Sequence, residues 1–459
     1  MSSKAVTGNL DTIVALATPQ GVGAIGIIRL SGKEAISIAN KVFYDKDLAK
    51  VPSHSIQYGT IRDNDKLIDE VLVSVFKEPK SYTKENVVEI SCHGSNFILQ
   101  SVIKLLVREG ARLAGPGEFT KRAFLHGKFD LAQAEAVADL IAADSEASHL
   151  SAISQMRGGF SNDIKRLRDR LIDFASMIEL ELDFSEEDVE FASRDDLKKL
   201  ISELLQVIDH LLDSFDLGNV IKNGVPTVIA GKPNSGKSTL LNALLNEEKA
   251  IVSDIAGTTR DFIEDEIHIE GITFRFIDTA GIREARDKIE QMGIARTKQK
   301  MREASLILYL FDLKSETIEE IDKESGKLDK LGIPYIKLGN KTDLAPKELL
   351  AGLKKRDFIF ISAKSKINLE ELKKQLIEFV NLDKIRSENT IITNTRHYES
   401  LFKVNSSLKD VLSGIEKGIS GDLLAMDIRQ TIHFLGEITG EITTDDLLSN
   451  IFSRFCIGK

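Results

Sequence analysis

Cysteine is almost absent from this chain: its 459 residues include two, Cys92 and Cys456, far apart in sequence. That excludes a disulfide framework and a CxxC metal knuckle, and it fits a reducing cytosol. An excess of basic charge is missing too. Lys and Arg total 61 against 71 Asp and Glu, a net charge of −10, which excludes a uniformly basic nucleic-acid binder and leaves room only for a local patch. No apolar run approaches the ~18 residues that span a bilayer, and residues 1–11 lack both a signal-peptide core and an Arg-rich transit pattern. The eight histidines show no HxxxH-type spacing, so no metal cluster is expected from them. What is present is apolar residue in quantity, 42%, enough for real cores. At roughly 150 residues per domain the length predicts about three domains. The expectation is a soluble, cytoplasmic, multidomain protein.

Three textures follow along the chain. Over 11–118, β-rich runs at 12–17, 26–30, 68–76 and 86–91 alternate with turn residues, with one helical stretch near 97–109, which reads as a small α+β domain. Over 119–216 apolar residues recur at spacings of three and four: Ile164, Leu167, Leu171, Phe174, Ile178, Leu182, then Leu197, Leu200, Leu204, Ile208, Leu211. Plain bundle packing is the simpler reading of these stripes and a partner-binding coiled coil the other. At Asn223 and Gly224 the texture changes to strands alternating with helices as far as about Asn381. Helical periodicity then returns at Leu424, Ile428, Ile432 and Leu435. The tail is too short for an independent domain, so a discontinuous helical domain, 119–222 plus 382–459, is expected to carry an inserted α/β domain at 223–381, after an N-terminal domain at 1–118. An inserted domain transmits motion through two chain crossings, which suits a switch.

The sharpest motif is GKPNSGKS at 231–238, which fits GxxxxGK[ST], between an apolar strand at 227–230 and a helix-forming run at 239–245. Glycines let backbone N–H groups turn around a β-phosphate, Lys237 reaches the β/γ oxygens, and the Ser238 hydroxyl suits Mg²⁺. The nucleotide-binding loop comprises Asn234, Ser235, Gly236, Lys237, Ser238 and Thr239. Three later elements specify GTP. Asp278, Thr279, Ala280 and Gly281 form DxxG at the end of a strand at 272–277. In the run Asn340, Lys341, Thr342, Asp343, the Asp343 carboxylate can accept two hydrogen bonds that guanine offers and adenine does not. Ser362, Ala363 and Lys364 follow a strand at 358–361 and would present a backbone N–H to guanine O6. Between the phosphate loop and DxxG, GTTRD at 257–261 supplies a switch threonine, ordered by γ-phosphate and Mg²⁺.

One departure from Ras-like enzymes is informative. There a Gln after DxxG orients the attacking water; here Ile282 stands in its place, and neither Arg260 nor Arg283 stands out as a cis arginine finger. Asn234 is a candidate for holding a second cation, and the acidic run 284–290 a candidate source of a carboxylate. At 21–26 the literal GxGxxG is followed by β-like residues where a dinucleotide fingerprint requires a helix, so dinucleotide binding is not expected. On the residues alone Arg29, Glu89 and Lys128 read more simply as surface ion-pair members than as ligand contacts. Cys456, four positions from the end, is either a reactive thiol or adventitious, whereas Cys92 reads as a buried small hydrophobe.

Together with DTIVA at 11–15, GIIRLSG at 26–32, GPGEFT at 115–120, KFDLAQAEA at 128–136 and the closing CIGK at 456–459, these motifs resemble the MnmE (TrmE) family of tRNA-modification GTPases over essentially the whole chain. The resemblance implies an N-terminal domain that binds a tetrahydrofolate derivative (5-formyl or 5,10-methylene) and forms a homodimer. By motif position Arg29, Glu89, Lys128 and Lys459 would contact the folate. It implies that K⁺ replaces the arginine finger, held by Asn234, Ser253, Ile255 and Thr258, that Mg²⁺ is held by Ser238 and Thr259, and that Glu290 orients water. Cys456 carries over as the family's C-terminal cysteine. It further implies an FAD-containing partner, MnmG (GidA), in a heterotetramer. The two would place an aminomethyl or carboxymethylaminomethyl group on C5 of the wobble uridine of certain tRNAs, with methylene-tetrahydrofolate as carbon source. The family's G domain is inserted in a helical domain, as the texture also reads. Cys92 before His93 and Gly94 departs from many relatives and alters none of this. The alternative is an Era-like regulatory or ribosome-assembly switch, against which stands the absence of a KH-type GXXG module after the G domain.

Overall fold

A computed structural model describes residues 11–183, 193–248, 265–277, 304–354, 356–380 and 391–458, the last three before 249 by backbone alone. Among sequence-predicted residues, Ser253, Ile255, Thr258, Thr259, Asp278, Thr279, Ala280, Gly281, Ile282, Glu290 and Lys459 lie outside the described set. The chain divides into two compact units, residues 1–141 with 153–206 and 400–459, and residues 142–152 with 207–399.

The first unit is built on a seven-stranded sheet: β1 (Ile13–Leu16), β2 (Ile25–Ser31), β3 (Phe43–Tyr44), β4 (Ser55–Asp63), β5 (Lys66–Phe76), β6 (Val87–His93) and β7 (Arg112–Leu113). The order is β3-β4-β5-β6-β2-β1-β7, antiparallel throughout except for the parallel β1–β7 pair. Alternation sets the buried face: Val71, Val73 and Val75 of β5 point inward while Glu70 and Leu72 face out. Two helices, Ala35–Val42 and Asn96–Arg108, cover that face with Ile38, Val42, Leu99, Val102 and Leu106. The predicted runs correspond to β1, β2, β5 and β6 and to the second of these helices. The first helix and β4 carry no comparable signal, since the β4 sequence SIQYGTIRD alternates weakly around Gly59.

The helical layer of this unit joins distant stretches. Helix Gly159–Asp183 packs along helix Gly421–Thr439. Ile164, Leu167, Leu171, Phe174 and Ile178 from one, and Leu424, Ile428 and Leu435 from the other, are buried, so these stripes serve bundle packing. Ion pairs Arg429–Glu179 (2.6 Å) and Arg168–Glu441 (2.5 Å) join the two halves of the layer. This layer is thus drawn from two separate stretches of the chain. At the chain end, Leu448 and Phe452 of helix Asp445–Phe452, with Phe455, form one apolar cluster with Leu131 and Ala134.

The second unit holds β8 (Val225–Gly231), β9 (Asp265–Ile269), β10 (Ile272–Phe276), β11 (Leu306–Asp312), β12 (Tyr335–Asn340) and β13 (Ile359–Phe360), in the order β13-β12-β11-β8-β10-β9. All pairs are parallel except the β9–β10 hairpin. β11 is buried along its whole length, which is why it reads LILYLFD without alternation. Helices Lys237–Glu248 and Leu369–Val380 cover one face with Leu240, Leu244, Leu372 and Leu376, and helices Ile318–Asp329 and Lys347–Leu353 the other with Ile321, Leu328 and Leu353. Segments outside the strand–helix alternation also belong to the unit. Ala147 N–H donates to the Gly271 carbonyl (3.2 Å), and Ile392 N–H donates to Ser214 Oγ (3.1 Å). Helix Phe215–Asn223 abuts β10, and its Gly218 passes so near the Ile392 carbonyl that any side chain there would collide.

Candidate functional site

In the second unit, the sheet brings the phosphate loop and the two base-reading loops to one end, since β8, β12 and β13 are parallel and each loop follows its strand. The loop 231–236 leaves β8 and enters helix Lys237–Glu248, the geometry in which loop N–H groups and the helix dipole favour an anion. Lys237 Nζ lies inside the loop and donates to the Gly231 and Lys232 carbonyls, both at 2.9 Å. Burial holds its pKa below the ordinary lysine value. Gly236 adopts φ 103°, and a Cβ there would strike Asn340 Nδ2. Asn234 is exposed in the left-handed region, φ 63°, which asparagine tolerates better than most residues. Ser238 is half-buried and Thr239 exposed in the first helical turn.

Asn340, itself 3% exposed, ties three loops together. Its Nδ2 donates to the Ser235 carbonyl (2.7 Å) and its Oδ1 accepts Ala363 N–H (3.0 Å), so phosphate loop, NKTD and SAK share one side chain. Lys341 Nζ donates to the Asn234 carbonyl (2.8 Å) and pairs with Asp312 Oδ2 (2.6 Å). Burial works to raise the Asp312 pKa, but the bonds from Lys341 and the Lys314 N–H outweigh it and hold the carboxyl below its ordinary value. Ser362 is buried and exchanges backbone hydrogen bonds with Ile367 (3.2 and 3.1 Å), closing the turn that leaves Lys364 exposed. Asp343 is exposed in the short 3₁₀ turn Thr342–Leu344.

A second cluster forms in the first unit from both ends of the chain. Arg29 on β2 pairs with Glu89 on β6 through Nε and Nη2, both at 2.8 Å, and its Nη1 donates to the Gly458 carbonyl at 3.3 Å. Its guanidinium lies 5.4 Å from the Tyr82 ring centroid and 5.7 Å from that of Phe119. Lys128 Nζ donates to the Ser81 carbonyl (2.7 Å) and lies 5.3 Å from the same Tyr82 ring. Burial, with Lys84 nearby, holds the Lys128 pKa below its ordinary value. Tyr82 bonds Thr120 Oγ1 (2.9 Å), and burial pushes its phenol up, so the ring stays neutral. The tail is fixed by backbone: Gly117 N–H donates to the Cys456 carbonyl (3.3 Å) and Pro116 bridges Ile457. The Cys456 thiol is exposed, whereas Cys92 is buried, as its sequence setting predicts. Sequence reasoning names Arg29, Glu89 and Lys128 but misses Tyr82, Phe119, Thr120, Asp312 and Glu316. Of these, Asp312 had a signal: an acid closing an otherwise apolar strand must find a partner when buried.

A parallel sheet with one antiparallel edge strand, a phosphate loop after β8 and NKTD and SAK loops after β12 and β13 is the architecture of a P-loop GTPase. The family described as "MnmE helical domain" matches residues 131–456, and that described as "GTP-binding protein TrmE N-terminus" matches residues 12–128. The tRNA modification GTPase MnmE of Cytophaga hutchinsonii is 61% identical over 100% of both chains. Those of Flavobacterium johnsoniae and Bacteroides thetaiotaomicron are 54% and 53% identical, each over 98% of this chain and 100% of their own. The chain belongs to the MnmE (TrmE) family of tRNA modification GTPases.

Proposed function

We propose that this chain hydrolyses GTP in a K⁺-stimulated cycle that gates addition of an aminomethyl or carboxymethylaminomethyl group to C5 of wobble uridine in certain tRNAs. It would work in the cytoplasm as a homodimer, in a heterotetramer with an FAD-containing partner of the MnmG (GidA) kind. The observation that carries the GTP half is the union of phosphate loop, NKTD and SAK through Asn340. The folate half rests on the cluster of Arg29, Glu89, Lys128 and Tyr82 around the C-terminal tail. Residues 1–118 would bind the folate and dimerise, 119–222 with 382–459 form the helical domain, and 223–381 the G domain.

In the G domain Lys237 would leave the two loop carbonyls for the β/γ-phosphate oxygens, and Asp343 would accept from guanine while SAK donates to O6. Ser238 and Thr259 offer hydroxyls to Mg²⁺. Asn234 fits a K⁺ role: its backbone carbonyl is engaged by Lys341 while its side chain stays exposed, and Ser253, Ile255 and Thr258 would complete an oxygen donor set suited to a hard cation. K⁺ there would supply the charge an arginine finger supplies elsewhere. Glu290 would orient water. In the first unit two cations around a neutral aromatic suit a ring system that carries carboxylates, such as a tetrahydrofolate, and Lys459 would add a third cation. The exposed Cys456 would face that group from a fixed backbone.

Two experiments test the two halves. Calorimetric titration of 5-formyl-tetrahydrofolate should show saturable binding that Arg29→Ala abolishes; no heat with the wild type would overturn the folate role and favour a purely regulatory switch. Exchanging Na⁺ for K⁺ should raise GTP turnover strongly, and Glu290→Ala should abolish it while nucleotide affinity persists. Equal turnover in the two salts would remove K⁺ from the mechanism.

A further inference from the structure

The turn after β11 carries two buried carboxylates, Asp312 and Glu316, 8% and 7% exposed, to which nothing above gives a part in the reaction. They are joined to each other, since Glu316 Oε1 accepts the Asp312 backbone N–H at 2.8 Å. Each also holds a lysine. Asp312 Oδ2 takes Lys341 Nζ at 2.6 Å, and Glu316 Oε2 takes Lys232 Nζ at 3.0 Å, with the more exposed Glu320 at 3.6 Å from the same ammonium. Lys232 is itself the second residue of the phosphate loop, and Lys341 donates to the carbonyl of Asn234. The two ion pairs therefore grip the loop on either side of Pro233, one by a side chain of the loop and one by its backbone. Asn234, one of the two held residues, stands at φ 63°, a conformation that costs energy for a residue with a side chain and persists where its surroundings impose it.

We propose that Asp312 and Glu316 are positioning residues for the phosphate loop, holding residues 232–234 through Lys341 and Lys232 in the shape that receives nucleotide and cation. Neither touches GTP. Both carboxylates are desolvated and each lies against a cation, so removing either charge leaves its lysine without a buried partner. Because Lys341 belongs to the base-reading NKTD run, the same turn sets the phosphate loop and that run in one register. This inference rests on the reading of the loop as a GTP and K⁺ site.

The test uses the full chain with the isosteric variants Asp312→Asn and Glu316→Gln, titrated with a fluorescent GDP analogue, followed by a K⁺ titration of GTP turnover. Each variant should bind the analogue on the order of tenfold more weakly, the loss of one hydrogen bond to a charged group. The K⁺ midpoint should rise several-fold, while turnover at saturating K⁺ and GTP should fall far less. Lys232→Gln added to Glu316→Gln should cost little more, only the contact to the exposed Glu320 being left to lose, and the swap Lys232→Glu with Glu316→Lys should recover part of the affinity, outcomes a general loss of folding would not give. Wild-type affinity and midpoint in both single variants, or additive losses in the double, would overturn the proposal. Should the wild type turn over equally in Na⁺ and K⁺, the cation reading fails by itself, and the analogue affinities still decide the positioning role.

Discussion

Replacing Asn340 by Ala should uncouple the three nucleotide loops in one step. The side chain is 3% exposed and makes two hydrogen bonds, 2.7 Å to the Ser235 carbonyl and 3.0 Å from the Ala363 N–H. Truncation orphans both backbone groups, at about 1–3 kcal/mol each when no other partner is found. The loops lie at a surface where water can enter, which places the sum near the low end, about 2–4 kcal/mol. If binding a guanine nucleotide requires the tied arrangement, that cost appears as an affinity loss of roughly 30- to 1,000-fold. Asn340→Asp sharpens the reasoning. It keeps an acceptor for Ala363 N–H but sets a carboxylate oxygen against the Ser235 carbonyl, so it should bind at least as poorly as Ala. Gly236→Ala should resemble both, because its new Cβ would displace Asn340 Nδ2. Fluorescence titration with a labelled GDP in Mg²⁺ buffer reads all three. An Asn340→Ala protein whose affinity stays within about threefold of wild type, under ~0.7 kcal/mol, would refute the tie.

Burial and the nearby Asp69 push the Cys92 thiol up to about 12, while Cys456 is exposed, so a chromogenic disulfide reagent at pH 8 should titrate one fast thiol per chain and two in urea; two fast thiols in the folded protein would contradict the burial. Asp343→Asn should turn preference from guanosine to xanthosine triphosphate, because the amide can donate where the carboxylate accepted; unchanged discrimination in a competition assay would remove Asp343 from base reading. Arg112 bonds Asp11 (2.6 Å) and Glu118 (2.6 Å), and both carboxyls titrate below their ordinary values of 3.8 and 4.5: Asp11 mainly through Arg112, Glu118 because Arg112, Gly115 N–H and Arg122 outweigh its burial. Stability from such depressed groups is complete above the unfolded-state values and is lost as pH falls through the folded ones. Arg112→Met should thus be destabilised by about 1 kcal/mol at pH 7, Arg112 being nearly half exposed, and the gap to wild type should narrow below about pH 4.5. Urea unfolding at pH 7 and 3.5 measures this, and a gap that widened in acid would reverse the assignment.

Local sequence carried those parts whose physics is local. The phosphate loop is legible because strand, glycines, lysine and helix are consecutive. The sheet edges and the unit limits were harder. Residues 207–223 read as a continuation of the helical layer, yet they group with the nucleotide fold, where Ser214 takes Ile392 N–H from a segment far along the chain. The chain-end cluster was legible as separate residues and illegible as a cluster. Nothing near Arg29 in sequence announces Gly458, 429 positions away, or the Tyr82 ring on which Lys128 also lies. Glu316 was missed because a carboxylate beside a lysine at the surface and one buried against a lysine from another loop look the same in a string of letters.

Both clusters are made by the same device, and it answers the charge problem the composition poses. Loop carbonyls outside regular structure need partners, and here long donors supply them: Lys237 to Gly231 and Lys232, Lys341 to Asn234, Lys128 to Ser81, Arg29 to Gly458. A carbonyl oxygen left facing an anion repels it. One already bonded to an ammonium or guanidinium presents net positive character instead, and a charged donor makes that bond roughly twice as strong as a neutral one. On the proposed reading each cluster would meet its anion with cations fixed at short range, Arg29 and Lys341 among them also held by the carboxylates of Glu89 and Asp312. On that reading a chain of net charge −10 would hold a triphosphate in one unit and the carboxylates of a folate in the other on these terms, because at a few ångströms fixed, partly buried cations dominate over distant surface acids that salt screens within ~8 Å.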